Sequence, residues 1–331
     1  MSKKQITLTD IAELCGTSNV TVSKALAGKR GMSDELREKI RATADRLGYI
    51  SNKPAASGGV IGVLIPQRFI NPNGSFYWAL YNNIIQRLKS ENFSCIQEIL
   101  TPEEEQELVM PAFPGSPDIA GIISLGQTSN EYARKLAALG KPLLMLDYYI
   151  EDLDVDCVVT NGFFGGYKLT CHLISQGHTR IGYIGTKLAT SSIFDRYMGY
   201  MKAMLEHKLP IEEKWIIDDR GVHNELFEAL PFPEELPTAF VCNCDETAFK
   251  AIRDLKSIGH TVPDDISVVG YDNYLISEIS EPPITTIDVD SKEMADLAIS
   301  TIIDRIRNNK LPTRVQVLDG KLIEKASVKK I

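Results

Sequence analysis

"LTDIAELCGTSNVTVSKALAG", residues 8–28, decides how this chain is read. Two apolar triples at helical spacing, Ile11/Leu14/Cys15 and Val22/Ala25/Leu26, predict two short amphipathic helices with Gly16-Thr17-Ser18 between them. Thr7, with Asp10 three residues later, matches a capping pair at the start of the first helix. Ala12 is small where a second helix crosses closely, and Gly16 supplies the positive φ that a tight turn favours. A projection at about 100° per residue turns Val22, Ala25 and Leu26 inward. Val20, Lys24 and Ala27 then face outward, with Asn19, Thr21 and Ser23 on the flanks. Small, glycine and apolar residues at these offsets form the helix-turn-helix pattern, whose second helix enters a DNA major groove.

The outward side chains suit that task. Asn19 can hydrogen-bond adenine, Lys24 can reach guanine O6/N7, and Val20 can meet a thymine methyl. Ser18, Thr21 and Ser23 are natural phosphate contacts, and Thr7 and Lys29 complete the candidate DNA-binding set. A third helix follows, capped by Ser33, buried along Leu36/Ile40/Thr43/Leu47 and ended by Gly48.

Charge is unevenly placed along the chain. Residues 1–53 carry ten lysines and arginines against six acids, a net of +4, whereas the remainder carries a net of −12. A small basic head on a large acidic body fits a nucleic-acid-binding domain attached to a separate module. With 331 residues, 44% apolar and 24% charged, the chain can bury a sizeable core. The start MSKKQITLTD lacks the apolar core of a signal peptide, and no run approaches about 18 apolar residues. A cytoplasmic protein is therefore expected. Its six cysteines lack CxxC or Cys/His spacing and read as reduced, buried thiols, with Cys242 and Cys244 at a strand end. Neither a metal nor a cofactor is expected, and His178 reads as a loop residue bonding backbone.

From Val60 onward, short apolar runs alternate with amphipathic ones. VIGVLI (60–65), CIQEI (95–99), IAGIISL (119–125) and PLLMLD (142–147) read as strands, with helices near 77–89 and 130–139. A second series has strands RIGYIG (180–185), KWIID (214–218), TAFVCN (238–243) and ISVVGYD (266–272), with helices near 165–176, 195–207 and 245–258. Such alternation predicts two doubly wound parallel-sheet lobes. Residues 160–166 and 282–290 are the expected crossovers between them. Ligands in such sheets bind beyond the carboxyl ends of the strands, which places a pocket between the lobes. Strand ends nominate Asp147, Asp245, Asp272 and, just after a strand, Arg196. Carboxylates and a planar arginine fork suit vicinal sugar hydroxyls, while Phe76, Tyr77, Trp78, Tyr148, Phe164 and Phe194 can stack on a sugar's apolar face.

Over roughly the first 50 positions the chain resembles the lactose/galactose-repressor family of bacterial transcription regulators. The likeness continues through VIGVLIP, LISQGHTRIGYIG, DRYMGYMKAML and GHTVPDDISVVGYDN. It implies an all-α helix-turn-helix head (1–50), a short hinge (51–59) and an α/β body of the periplasmic-binding-protein type (60–331). Lobe 1 would hold about 60–160 plus 289–318, and lobe 2 would hold 161–288 plus the C-terminal segment. The resemblance also implies a homodimer on near-palindromic double-stranded DNA, regulated by a small molecule, commonly a carbohydrate. It places the base-reading positions on Asn19, Val20 and Lys24 and the effector contacts on Arg196, Asp272 and Asp147. Phe76, Phe164 and Asp245 complete the expected effector set.

Departures from the family pattern matter too. Asn161-Gly162 and Cys244-Asp245 stand where the family carries Asp-Asn and Asn-Asp, which implies an unusual effector or weaker binding. The linker reads SNKPAASGG at 51–59, with Ala56 and Gly58 where the family has arginine and leucine. Two glycines cost roughly 1 kcal/mol each against a helix and leave no wedge to insert into the minor groove. A less bent operator is expected, which DNA-bend measurement against wedge-inserting relatives would test. An α/β enzyme is disfavoured because GxxxxGK[ST], GxGxxG after the first strand, GxSxG and HExxH are all missing. A stand-alone sugar-binding protein is the other alternative. Removing residues 1–58 would spare its ligand binding, whereas in a regulator the same cut abolishes DNA binding.

Overall fold

The computed structural model describes residues 7–26, 32–47, 58–70, 75–116, 118–221 and 225–331. The chain divides into two units, one up to Gly58 and one from Gly59. In the first, α1 (Leu8–Cys15), α2 (Asn19–Leu26) and α3 (Asp34–Leu47) surround one small core. Thr7 and Asp10 form a reciprocal capping box at the start of α1, and Gly16 closes the helix at φ +69°. Ile11, Ala12, Cys15, Val22, Ala25, Ile40 and Ala44 are buried, with Leu26, Leu36 and Leu47 at the edges. Each large aliphatic among them contributes about 1.5–3 kcal/mol on burial. Leu14, expected inside, is 54% exposed. The inward direction of α1 is set by Ile11, Ala12 and Cys15, and Leu14 points away from it. Ala27, Lys29, Gly48 and linker positions 51–57 lie outside the described residues.

The body begins with β1 (Val60–Pro66), α4 (Phe76–Ser90), β2 (Ser94–Leu100), α5 (Pro102–Gln106), β3 (Ile119–Leu125), α6 (Asn130–Ala137), β4 (Leu143–Leu146) and β5 (Asp156–Thr160). It continues with α7 (Gly162–Ser175), β6 (Ile181–Ile184), α8 (Ser191–Glu206), β7 (Ile216–Ile217), β8 (Ala239–Cys242), α9 (Asp245–Ser257), β9 (Ser267–Val269) and α10 (Leu275–Ile279). It ends with β10 (Thr286–Asp288), α11 (Ser291–Arg307), β11 (Val315–Leu318) and β12 (Lys321–Ile323). One six-stranded sheet has the order β11-β5-β4-β3-β1-β2 and a second has β7-β6-β8-β9, both parallel throughout. The central strands are buried end to end, as sheets covered by helices on both faces require.

The chain passes between the sheets three times: from β5 to α7, from β10 to α11, and from β11 to β12. β10 and β12 pair antiparallel, and the Asn161 side chain donates to Asp319 Oδ1 at 2.8 Å, so the crossings are tied together. The first crossing falls within the expected stretch 160–166, but α7 starts at Gly162, three residues before the helix expected near 165. Only Asn161 separates β5 from α7, and Gly162, Gly165 and Gly166 lie inside the helix because side chains would collide there. A Cβ on Gly165 would stand 2.4 Å from the Tyr271 ring, and one on Gly166 would stand 2.2 Å from the Arg196 carbonyl oxygen. Among the described residues, no helix is long and apolar enough to cross a membrane.

Candidate functional site

On the head, α2 presents the expected contact residues. Asn19, Val20 and Lys24 are exposed, Val20 by 64%, while Thr21 and Ser23 are half-buried. Ser18 Oγ accepts from the Thr21 backbone N–H at 3.2 Å and pairs with the Thr21 hydroxyl at 2.9 Å. Those two hydroxyls therefore cap and order the start of α2. Asn19 Nδ2 donates to Thr9 Oγ1 at 3.0 Å, which holds its amide at the helix end. An exposed valine flanked by a lysine and an oriented amide is a surface equipped to read base edges.

In the body a cavity of about 1030 Å³ opens between the two sheets. Its walls include Phe76 and Tyr77 from the start of α4, Asp147 just after β4, Arg196 from α8, Asp272 just after β9, and Tyr274. Strand ends converge here because parallel sheets turn all their carboxyl ends one way. Two of these aspartates hold left-handed backbone, Asp147 at φ +69° and Asp272 at φ +111°. Non-glycine residues adopt that conformation at a cost and concentrate where a side chain must be aimed.

The Tyr77 hydroxyl donates to Asp147 Oδ2 at 2.7 Å, and Asp147 Oδ1 is buried with no partner. Arg196 Nη1 donates to the Asn243 carbonyl at 2.6 Å, its Nη2 lies 3.7 Å from Asp272 Oδ1, and its Nε has no partner. The guanidinium rests over the Tyr271 ring at 3.8 Å from the centroid. Burial raises both carboxyls, and the Arg196 charge opposes it without prevailing. Asp147 is raised, and Asp272 is pushed up to about 7 with Asp147 and Glu246 adding to the rise.

Phe76, Asp147, Arg196 and Asp272 thus meet in the cleft, but two expected effector residues do not. Asp245 is buried at the start of α9, accepts from the Thr286 hydroxyl at 2.7 Å and lies against Gly270. Burial, with the Asp272 charge beside it, holds its carboxyl well above the usual range. Phe164 is 41% exposed, stacked on Tyr167 and capped by the Lys168 ammonium at 4.4 Å. Of the other aromatics, Tyr77 lines the cleft and Trp78 is exposed. Tyr148 is buried and bonded to Ser124, and Phe194 lines a smaller hollow. His178 is bonded on both ring nitrogens, to Thr238 and to the Lys329 carbonyl.

Sequence reading missed Arg68, Arg220, Cys244 and Glu246, all cleft residues. Arg68 follows β1 and Arg220 follows β7, so the strand-end rule reaches both. Arg220 is clamped by Asp219 through Nε at 3.0 Å and Nη2 at 2.7 Å. Asp219 also accepts from Thr186 N, Asn243 Nδ2 and Thr247 Oγ1. Burial works against its charge, yet the Arg220 bond and charge with the other donors outweigh it and bring the carboxyl to about 2. Arg68 pairs with Glu105 and donates to the Gln127 carbonyl.

These two sites have counterparts in known proteins. Residues 170–328 match the model of a periplasmic binding protein-like domain, and residues 7–52 match that of bacterial regulatory proteins, lacI family. The ribose operon repressor of Haemophilus influenzae is 28% identical over 97% of this chain and 98% of its own length. The transcriptional regulator CelR in complex with cellobiose superposes with a TM-score of 0.70 at 21% identity, covering 97% of this chain and 99% of the other. The lac repressor dimer bound to operator and an anti-inducer superposes at 0.66 and 22% identity, over 98% and 100%. The two solved structures share this chain's fold over nearly its whole length. Residues 7–52 of this chain are a regulatory head of the lacI type, and residues 170–328 are a periplasmic binding protein-like domain.

Proposed function

We propose that this protein is a sequence-specific DNA-binding repressor of the cytoplasm. A sugar or sugar derivative in the body cleft controls its affinity for a near-palindromic operator. The observation that carries the reading is the pairing, on one chain, of the exposed Asn19/Val20/Lys24 face with a cleft that holds unsatisfied buried donors and acceptors. Asp147 Oδ1 can accept from a ligand hydroxyl, Arg196 Nε can donate to one, and the Phe76 and Tyr77 rings suit an apolar sugar face.

Regulation follows from the cleft's construction. Gln127 Oε1, after β3, accepts from the Ser191 N–H at 2.7 Å at the start of α8, so a direct bond joins the lobes across it. A ligand that favours one lobe arrangement shifts the population, and its affinity is reciprocally linked to that for DNA. The protein acts as a homodimer, for which the exposed Trp78 and Ile85 of α4 and Ile96 and Ile99 of β2 offer an apolar face. Two heads one helical turn apart then read two half-sites. The linker lacks a leucine wedge, so the operator is bent less than by wedge-inserting relatives.

The test is selection of genomic fragments by the full chain against random competitor at moderate ionic strength. One or more fragments should be retained specifically, and Lys24→Ala should weaken binding and flatten its salt dependence. Failure to discriminate any fragment, with and without candidate sugars, overturns the reading.

A further inference from the structure

The cleft is short of positive charge. Among the described residues three arginines line it, Arg68, Arg196 and Arg220, against five carboxylates. Arg68 and Arg220 are each held by a carboxylate set behind the wall, Glu105 and Asp219, so neither brings net charge to the cavity. That leaves the Arg196 guanidinium facing two carboxylates, Asp147 from the first lobe and Asp272 from the second. All three are nine-tenths buried at the side chain or residue level: Arg196 is 7% and Asp147 5% exposed, and the Asp272 side chain is 10% exposed.

A buried pair of carboxylates sharing one cation carries a residual negative charge that the interior solvates poorly. The local hydrogen bonds leave that charge uncompensated. Asp147 receives one hydrogen bond, from Tyr77, and its Oδ1 is an orphan in the cavity wall. Asp272 lies at ion-pair rather than hydrogen-bond distance from Arg196. The other charged groups around the pair are Glu246 from α9, Arg220 after β7 and Asp195 on α8. Burial raises both carboxyls, as expected where a second cation is missing.

Resting on the effector reading above, we propose that the effector is an aminated polyol or amino sugar, whose ammonium seats against Asp147 Oδ1 while its hydroxyls meet Arg196 and Asp272. The ammonium supplies the absent positive charge and donates to the orphan oxygen. Sugar acids and sugar phosphates bring the wrong sign to a cavity whose arginines are already neutralised. Uncharged sugars satisfy the oxygen but leave the net charge. Cation binding also favours the ionised form of Asp272, whose carboxyl is pushed up to about 7, so affinity rises with pH through about 7 while the ligand amine stays charged.

The experiment uses the full chain and two matched pairs, 1-amino-1-deoxy-D-sorbitol against D-sorbitol and D-glucosamine against D-glucose, with glucose 6-phosphate as the anionic arm. Calorimetric titration should find one or both amines bound at least about tenfold more tightly than the hydroxyl partner, with protons released in proportion. Asp147→Asn should remove the amine preference and, without any ligand, raise the melting temperature at pH 8. Asp272→Asn provides the same comparison should the first variant not fold. No amine preference in either pair, whether or not the sugars bind, overturns the proposal, as does an Asp147→Asn protein that keeps the preference. Sugar binding without amine preference leaves the repressor reading standing. Loss of that reading shows separately, in the fragment selection.

Discussion

Asp219 and Asp272 are both buried carboxylates of the second lobe, each beside an arginine, and they lie at opposite ends of the titration scale. Asp219 gathers Arg220, Thr247, Asn243 and the Thr186 N–H and sits near 2. Asp272 has one ion pair at 3.7 Å and is pushed up to about 7. Desolvation is common to both, so the difference lies in the donors that the protein supplies and, at Asp272, in the added negative charge of Asp147 and Glu246. A saturated carboxylate is part of the frame, whereas an under-supplied one keeps bonding capacity for something that enters the cleft. Asp245 adds a third case, as fully buried as Asp219 but with its carboxyl raised well above the usual range.

Removing the saturated acid should have the largest effect. Asp219→Ala leaves Arg220 buried without its bidentate partner and orphans three further donors. Breaking such a pair costs about 3–5 kcal/mol. Urea unfolding of the variant measures it, and a loss below about 1 kcal/mol would place Asp219 outside the frame.

The second effect is one of pH. The folded-state value of Asp272 is raised above its ordinary value of 3.8, so the folded protein binds the extra proton. Stability from this group is fully present below about pH 4 and is lost as pH rises through about 7. Three units correspond to a loss on the order of 4 kcal/mol. Asp219 has the opposite sign, contributing roughly 2 kcal/mol above about pH 4 that disappears as pH falls through 2. Asp272→Asn should therefore flatten the decline in melting temperature from pH 5 to 8 and leave the acid limb unchanged. An unchanged slope on the neutral side would refute the assignment.

How much of this was legible in the sequence depends on where each residue's partner lies. The helix-turn-helix was readable because its signals are local: a capping pair three residues apart, a glycine at the turn and apolar residues at helical spacing. The strands VIGVLIP and IAGIISL were readable as continuous apolar runs. β5 was not, because it opens with Asp156, a charge at 1% exposure. Its partner is Arg305, 149 residues away, which holds both carboxylate oxygens. The early start of α7 was hidden for the same reason, since the Tyr271 ring and the Arg196 carbonyl that demand its glycines are remote in sequence. At the cleft, the strand-end rule found Asp147, Arg196 and Asp272, yet it also took Asp245. The rule locates the end of a strand but not the direction in which the side chain turns, and at Asp245 that is toward Thr286. Phe164 failed similarly, because an aromatic after a strand end can as well face solvent with a lysine above it.

A smaller effect tests how Arg196 is positioned between the two carboxylates. Gly166→Ala would drive a methyl into the Arg196 carbonyl across the α7/α8 contact. Overpacking of this kind costs about 1–3 kcal/mol and moves the guanidinium relative to Asp272. Ligand affinity should fall more than Gly199→Ala reduces it, since the latter collides with the Phe163 carbonyl one turn further on. Equal losses in the two variants would mean that the contact is packing alone.

The smallest effect is expected at Asp245, where the comparison is sharpest. Burial raises its carboxyl well above the usual range, its Oδ1 accepts from the Thr286 hydroxyl at 2.7 Å, and its Oδ2 is an orphan among the described residues. Asparagine keeps the acceptor and matches the shape, so Asp245→Asn removes a titratable group from the interior without opening a cavity. In the unfolded chain, however, aspartate is ionised at neutral pH and asparagine is not. A carboxyl raised in the folded state makes folding increasingly costly as pH rises, a penalty that the variant escapes. Fitting the amide NH₂ beside Gly270, whose added Cβ would lie 2.2 Å from Asp245 Oδ1, opposes that gain. The two terms have opposite signs, and at pH 5, where the proton penalty is small, the net change should be under about 1 kcal/mol. It should turn stabilising as pH rises to 8. A loss of more than about 2 kcal/mol at both pH values would mean that Asp245 is ionised in the folded protein and belongs with Asp219.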